Sequence, residues 1–264
     1  MKIGFIGLGN MATAMISGML KKEIVQATDI VASAKTQESV KKAVDTFGIL
    51  SAENNTEVAA AADVLFLAVK PQMYPDVIHE IRDSIKDGAV IVSIAPGKTI
   101  EWLMNLFGKT IKIVRCMPNT PALVLEGCTG VCKSESVTQE DMEYVMSLLQ
   151  SFGKAYEVAE HLMDAVVGVS GSSPAYVFMF IEAMADAAVL GGMPRPLAYQ
   201  FAAQSVLGSA KMVLETGMHP GQLKDMVCSP AGTTIEAVKI LEEKGLRSAV
   251  IEAEVACIEK SRNM

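Results

Sequence analysis

The chain has 264 residues, 50% of them hydrophobic and 20% charged, with a formal net charge of −7. That length is enough for two domains with real cores, and the composition excludes a disordered chain. The negative balance argues against a nucleic-acid partner, whose phosphates need a basic face.

The first element sets the class. Lys2–Ile6 reads as a short apolar strand, and no signal peptide fits ahead of it. It runs into Gly7-Leu8-Gly9-Asn10-Met11-Ala12, a G-x-G-x-x-A turn opening onto a helical run with Met15, Ile16, Met19 and Leu20 on one face. In such a turn Gly7 allows the tight bend. Gly9 lets a diphosphate approach the backbone, and Ala12 lets helix and strand pack closely. The helix N-terminus offers free N–H groups and a positive dipole to an anion.

Asp29–Ser33 reads as a second strand. An NAD-specific unit carries an acid at the end of this strand, but Asp29 stands at its start. The end is Ser33-Ala34-Lys35-Thr36, whose hydroxyls and cation suit a 2′-phosphate. That favours NADPH, with NADH as the alternative. Glu38–Phe47 reads as a helix ended by Gly48, and Asn54 and Asn55 precede an Ala-rich segment.

Val64–Val69 is apolar throughout, the pattern of a strand inside a parallel sheet. Ligands of open parallel sheets bind beyond the carboxyl ends of the strands, which places Ala68, Val69 and Lys70 beside a cofactor. Val77–Ile85 reads as a helix, and Ala89–Ile94 as a strand leaving into Ala95-Pro96-Gly97. Ile100–Phe107 reads as a helix and Lys112–Cys116 as a strand. The loop after it, Met117-Pro118-Asn119-Thr120-Pro121, is shaped by two prolines. Asn119 there is either a donor to a nicotinamide amide or substrate, or a turn-forming residue. Thr129–Cys132, a helix over Thr138–Ser151 capped by Thr138, and Ala155–Val158 complete an alternating pattern. The pattern predicts a doubly wound α/β sheet.

Beyond about residue 160 the strand pattern stops. Ala165–Ile181 carries no charge over 17 residues, but Gly168, Ser170, Gly171, Ser172, Ser173 and Pro174 interrupt it. This reads as a loop feeding a buried helix rather than a membrane span. Helices are expected over Pro174–Leu190, Pro196–Glu215, His219–Val227, Thr234–Glu243 and Leu246–Lys260. Such Ala- and Met-rich helices want cover on several faces, which predicts a dimer packed through this half. The methionines read as core filler. The five cysteines are odd in number, with neither C-x-x-C nor zinc-like spacing; they read as reduced thiols of a cytoplasmic protein, with no metal site.

Between two of these helices lies Cys228-Ser229-Pro230-Ala231-Gly232-Thr233-Thr234. A Gly-containing turn at a helix N-terminus can hold a carboxylate by backbone N–H groups, and adjacent hydroxyls can meet a substrate heteroatom. The competing reading is structural: Thr233-x-x-Glu236 has the form of a capping box. That would leave Ser229 and Thr234 unaccounted for.

With these stretches in hand, the chain resembles pyrroline-5-carboxylate reductases from end to end. The matching pieces are FIGLGNMA at residues 5–12, DVLFLAVKP at 63–71, RCMPNTPA at 115–122, SGSSPAY at 170–176 and HPGQLKDMVCSPAGTTIEA at 219–237. The resemblance implies reduction of the imine of L-1-pyrroline-5-carboxylate to L-proline with NADPH or NADH. It implies a Rossmann domain over residues 1–160 and an all-helical dimerisation and substrate domain over 161–264, with a decamer of five dimers as the larger assembly. It also implies that Gly7, Leu8, Gly9, Asn10, Met11 and Ala12 hold the diphosphate. Ser33, Lys35 and Asn55 would meet the adenosine ribose and any 2′-phosphate. Ala68, Val69, Lys70, Ala95 and Gly97 would line the cofactor path, with Met117 and Asn119 near the nicotinamide. Ser229, Gly232, Thr233 and Thr234 would hold the substrate, Thr234 hydrogen-bonding the ring nitrogen.

Two positions depart from the family pattern. G-S-G-P-A is Gly171-Ser172-Ser173-Pro174-Ala175 here, and S-P-G-G-T is Ser229-Pro230-Ala231-Gly232-Thr233. Each puts a small residue in place of a glycine, which strains the backbone wherever φ > 0 is required. Two other readings stand beside this one. A two-domain hydroxyacid dehydrogenase would carry a catalytic lysine on the first long helix of its second domain, and Pro174–Leu190 has none. A dinucleotide-binding redox sensor would need no small-molecule turn such as the one before Thr234.

Overall fold

The central strands are four residues long and buried at every position, which only a sheet covered on both faces permits. They belong to a computed structural model that describes residues 1–264. The strands are β1 (Ile3–Ile6), β2 (Ile30–Ser33), β3 (Leu50–Ser51), β4 (Val64–Leu67), β5 (Val90–Ser93), β6 (Lys112–Met117), β7 (Gly127–Lys133) and β8 (Gly153–Glu157). They form one eight-stranded sheet in the order β3-β2-β1-β4-β5-β6-β7-β8. All neighbours are parallel except β6 and β7. The order reverses at β1, which puts a topological switch point between β1 and β4, where open α/β sheets take their ligands.

The strand period of two sorts the core into two layers. Ile3, Phe5 and Phe66 face one cluster, with the Phe5 and Phe66 rings stacked at 4.7 Å. Ile6, Leu65 and Leu67 face the other. The sheet is covered by α1 (Asn10–Lys21), α2 (Gln37–Phe47), α3 (Asn55–Ala61), α4 (Tyr74–Ile81), α5 (Ile100–Phe107) and α6 (Gln139–Leu149). Thr36, Asn54, Thr99 and Thr138 cap α2, α3, α5 and α6 by accepting from the N–H three residues on.

Several details differ from the sequence reading. Asp29 is not in β2; it ends a short 3₁₀ turn over Ala27–Asp29. β3 was not foreseen, because two residues show no periodicity. The helix expected over Val77–Ile85 lies earlier, since Pro71 and Pro75 sit in opening turns, where their missing N–H has no partner to lose.

The largest difference is at Ala165–Ile181. No loop interrupts it. A 3₁₀ turn over Glu160–Leu162, α7 (Met163–Val166), a π-helical stretch over Val167–Ser172 and α8 (Ser173–Leu190) follow without a break. Pro174 accounts for the π stretch. In an α-helix the Ser170 carbonyl would accept from the N–H of residue 174, and proline has none. The Asn119 Nδ2 donates to that carbonyl instead, at 3.0 Å. Nor is α8 a buried helix, since only Ala185 along it is buried. The run Glu160–Leu190 is long and apolar enough to cross a membrane by length and composition.

The chain divides into two compact units. One comprises Met1–Ser172 with Cys257–Met264, the other Ser173–Ala256. The second is all helical: α8, α9 (Arg195–Thr216), α10 (Pro220–Val227), α11 (Thr233–Glu243) and the start of α12 (Leu246–Arg262). Its own core is small, three buried alanines (Ala185, Ala198, Ala202) between α8 and α9. Large apolar side chains such as Phe178, Met179, Phe201 and Leu214 are all more than 60% exposed.

Candidate active site

In the first unit, β1 delivers the chain into the glycine turn at the switch point. Gly7 has φ +100°, and a Cβ there would come within 2.6 Å of the Ala68 carbonyl. Only glycine lets the β1 and β4 ends lie this close. Gly9 has nothing within 4 Å of where its Cβ would be, so its backbone faces open space. It is also the N-cap of α1 and offers no side-chain cap, and no acid stands in the helix's first turn. The first N–H groups of α1 are thus left for an anion. Ala12 is fully buried against the sheet, while Asn10 is exposed and Met11 half-buried at the helix mouth.

A cavity of about 550 Å³ opens here. Gly7, Leu8 and Gly9 line it on one side and Ala68, Val69 and Lys70 on another. Ser33, Lys35 and Asn55 close its far end. These nine predicted residues are brought together on the carboxyl edge of β1, β2 and β4. The shape and donors fit a dinucleotide: an unobstructed glycine backbone, an uncapped helix and two exposed lysines. Ser33, only 3% exposed, donates its hydroxyl to the Asn55 Oδ1 at 2.8 Å. Asn55 Nδ2 donates to Glu80 Oε2 at 2.7 Å. Three acids that sequence reasoning missed, Glu53, Asp76 and Glu80, also line the cavity. Asp76 and Glu80 are one helical turn apart on α4, a spacing that announces a shared face but not which cavity it meets.

Ala95, Gly97, Met117 and Asn119 do not line this cavity; Met117 ends β6, and the others stand on the loops after β5 and β6. Ala95 is buried, and its N–H lies 3.4 Å from Ser93 Oγ. Gly97 has φ +68°, and its open side meets Met264, 2.9 Å from where a Cβ would be. Met117 lies under Gly171, where a Cβ would come within 2.6 Å of its Cε. Asn119 has partners inside the fold. It is 8% exposed, and both ends of its amide are engaged inside the fold: Nδ2 on the Ser170 carbonyl and Oδ1 on the Cys128 N–H at 2.8 Å. These bonds use one of the two Nδ2 protons and brace the loop from inside the fold.

Two buried polar groups brace the same edge. Tyr74 donates to the Leu67 carbonyl at 2.6 Å, and complete burial pushes its phenol well above the ordinary range. Arg115, 4% exposed on β6, pairs with Glu160 at 3.1 Å, and the same carboxylate oxygen accepts from the Ile100 N–H at 2.7 Å. No periodicity could have found this pair, because its members are 45 residues apart. All five cysteines are free. Burial, then the nearby Glu160 carboxylate, pushes the Cys132 thiol up to about 12; burial raises Cys116 and Cys128 as well. These three thiols are held protonated and are poor nucleophiles.

In the second unit, the turn between α10 and α11 is closed by the Gly232 N–H donating to the Ser229 carbonyl at 3.1 Å. Pro230 takes the second position of the turn and Ala231 the third, with φ +58°. A turn with proline second and φ > 0 third asks for glycine, so the strain anticipated at this position is present. Ser173, the other departure, lies in α8 and has no positive φ. The capping box does not form. Thr233 is the first residue of α11, and its N-cap is Gly232, which has no side chain. Thr233 is therefore not committed as a cap. The turn presents the Ser229, Thr233 and Thr234 hydroxyls beside an uncapped helix N-terminus, with Ser229 and Thr233 exposed and Thr234 half-buried.

The chain is matched over residues 160–264 by the family model described as pyrroline-5-carboxylate reductase dimerisation. Residues 2–97 match the one described as NADP oxidoreductase coenzyme F420-dependent. The pyrroline-5-carboxylate reductase of Escherichia coli K12 is 56% identical over 263 residues, spanning 100% of this chain and 98% of that protein. A pyrroline-5-carboxylate reductase structure from Coxiella burnetii aligns with a TM-score of 0.92 at 33% identity, covering 99% of this chain and 97% of that one. The pyrroline carboxylate reductase of Plasmodium falciparum, solved with NADP bound, aligns with a TM-score of 0.89 at 32% identity, covering 99% and 97%.

Proposed function

The chain belongs to the pyrroline-5-carboxylate reductase family, and from that premise we propose how its own residues carry the reaction. It is an oxidoreductase that reduces the C=N bond of L-1-pyrroline-5-carboxylate to give L-proline with NADPH. NADPH supplies the hydride that the imine carbon receives. The turn Gly7-Leu8-Gly9 and the opening of α1 (Asn10, Met11, Ala12) hold its diphosphate. Ser33, Lys35 and Asn55 take the adenosine ribose and 2′-phosphate, Ala68, Val69 and Lys70 wall the path, and Ala95, Gly97 and Met117 mark the nicotinamide end. Asn119 acts by position, tying the loop after β6 to the π stretch.

The α11 N-terminus carries the substrate assignment. Its uncapped N–H groups, with Ser229, Gly232 and Thr233, bind the substrate carboxylate. Thr234 hydrogen-bonds the ring nitrogen and orients it. A threonine hydroxyl is far too weak an acid to protonate the imine outright, so the proton comes from solvent or is already on the substrate. The protein's main contribution is alignment of donor and acceptor carbons. The nucleotide half runs over residues 1–160 and the substrate and dimerisation half over 161–264.

A second copy of the chain covers the exposed apolar helices of the second half. Support comes from the match of residues 160–264 to a dimerisation family and from the exposure of Phe178, Met179, Phe201 and Leu214. This makes the run Glu160–Leu190 an interface helix in a homodimer, assembled further as five dimers, and not a lipid-facing one. Five free thiols accord with a cytoplasmic enzyme.

The test is oxidation of NADPH, followed by the absorbance of the reduced nicotinamide, with L-1-pyrroline-5-carboxylate as substrate. Thr234→Ala lowers kcat by about 10- to 100-fold, the loss of a hydrogen bond to a charged partner, while NADPH binding stays as in the wild type. Kinetics equal to the wild type would remove Thr234 from the mechanism. Light scattering of the pure protein gives the assembly, and a monomer would overturn the dimer.

A further inference from the structure

The cavity at the end of β2 contains a carboxylate that the nucleotide assignment does not use. Resting on that assignment, we infer that Glu80 sets the discrimination between the two nicotinamide dinucleotides, by holding Asn55 in an orientation suited to a ribose hydroxyl and against a 2′-phosphate. NAD-specific units place an acid at the end of the second strand. Here that strand ends at Ser33, followed by Ala34, Lys35 and Thr36. The acid arrives instead from α4, across the cavity, and it touches the Ser33–Asn55 pair directly.

The donor inventory gives the argument. A phosphate offers acceptors only, so its site must supply protons. Ser33 has one hydroxyl proton and gives it to Asn55 Oδ1 at 2.8 Å. Asn55 has two amide protons and gives one to Glu80 Oε2 at 2.7 Å. The hydrogen bond to Glu80 is charge-assisted, and so the stronger competitor for the Asn55 amide. It also fixes the amide with its oxygen toward Ser33, which locks the Ser33 proton inward. A 2′-phosphate must break this chain of bonds to gain the Ser33 proton, finds only the second Asn55 proton free, and meets the Glu80 charge, with Asp76 one turn away, on the same wall. A ribose hydroxyl meets no such conflict, since it can accept the second Asn55 proton and donate to a carboxylate. Lys35 opposes Glu80 from the strand end, so the cavity admits both dinucleotides and Glu80 weights the choice.

The experiment measures adenosine ends alone, so it needs no turnover. Adenosine 2′,5′-bisphosphate and adenosine 5′-monophosphate are titrated into wild type, Glu80→Gln and Glu80→Ala by calorimetry, at two salt concentrations. Glu80 is exposed on α4, so neither variant removes a core contact. Glu80→Gln removes the charge and leaves Asn55 only a neutral acceptor, and Glu80→Ala removes the acceptor as well; each raises affinity for the 2′-phosphate ligand relative to the other by about 5- to 10-fold. The kcat/KM ratio for NADPH over NADH rises in parallel. An unchanged or falling ratio in both variants, with wild-type binding intact, overturns the role of Glu80 and leaves the nucleotide assignment standing. Failure of the wild type to bind either ligand overturns both.

Discussion

Gly232→Ala tests the substrate turn without disturbing the fold. Gly232 has φ −80° and ψ 170°, a conformation open to any residue, so alanine adds no backbone strain. Its Cβ, however, would fall on the Ser229 Oγ, well inside van der Waals contact, and 3.1 Å from the Ser229 carbonyl oxygen. The carbonyl is tied to the Gly232 N–H and can move little; the hydroxyl can rotate. The substitution therefore evicts the Ser229 hydroxyl. If that hydroxyl meets the substrate carboxylate, the loss is about 1–2 kcal/mol, a rise in KM for L-1-pyrroline-5-carboxylate of roughly 5- to 30-fold. KM for NADPH and the urea midpoint stay near wild type. A double-mutant cycle with Ser229→Ala sharpens the assay: once the hydroxyl is gone, alanine at 232 has little left to displace, so the two effects do not add. Full additivity, or an unchanged KM in the single variant, would refute the reasoning.

Ala231→Gly relieves the positive φ, worth about 1 kcal/mol or more, against roughly 0.5–1 kcal/mol of extra chain entropy in the unfolded state. The urea midpoint rises slightly; a fall would show that Ala231 is not strained. Asn119→Ala takes the Asn119 partner from the Cys128 N–H in β7 and from the Ser170 carbonyl in the π stretch, costing about 2–4 kcal/mol by urea unfolding. A neutral result there would mean that water replaces the amide. In acid, Asp63 and Asp141 report on the first unit. Burial pushes each carboxyl up, but Lys86 with the Lys2 N–H at Asp63, and Lys112 with Thr138 at Asp141, outweigh it and hold both below the usual range. A depressed folded pKa gives stability that is present above the unfolded value, about 4, and is lost as pH falls through the folded one. Unfolding midpoints decline below about pH 4, and Asp141→Asn flattens part of that slope; an identical slope would remove Asp141 from the account.

Much of the cofactor half was legible because its signals are local. A buried strand, a G-x-G-x-x-A turn and an amphipathic run stand within twenty residues, and the sheet carries apolar runs whose carboxyl ends point to one edge. The turn before Thr234 was legible as a motif, although two readings of Thr233 stayed open until its place as the first residue of α11 excluded the capping box. What failed were inferences in which a local rule met a distant partner. Gly and Pro at residues 168–174 announce a loop, yet Asn119, far away in sequence, accepts responsibility for the carbonyl that Pro174 leaves free, and the segment stays helical.

The sequence by itself determined the class, the strand order's raw material, the phosphate turn and the residue types of the substrate turn, because each rests on neighbours along the chain. Only the tertiary structure decided which polar groups remain free. That depends on long-range pairing: Ser33 with Asn55, Asn55 with Glu80, Arg115 with Glu160, Asn119 with residues 128 and 170. A hydrogen-bond donor has a fixed number of protons, and no local pattern records where a fold uses them.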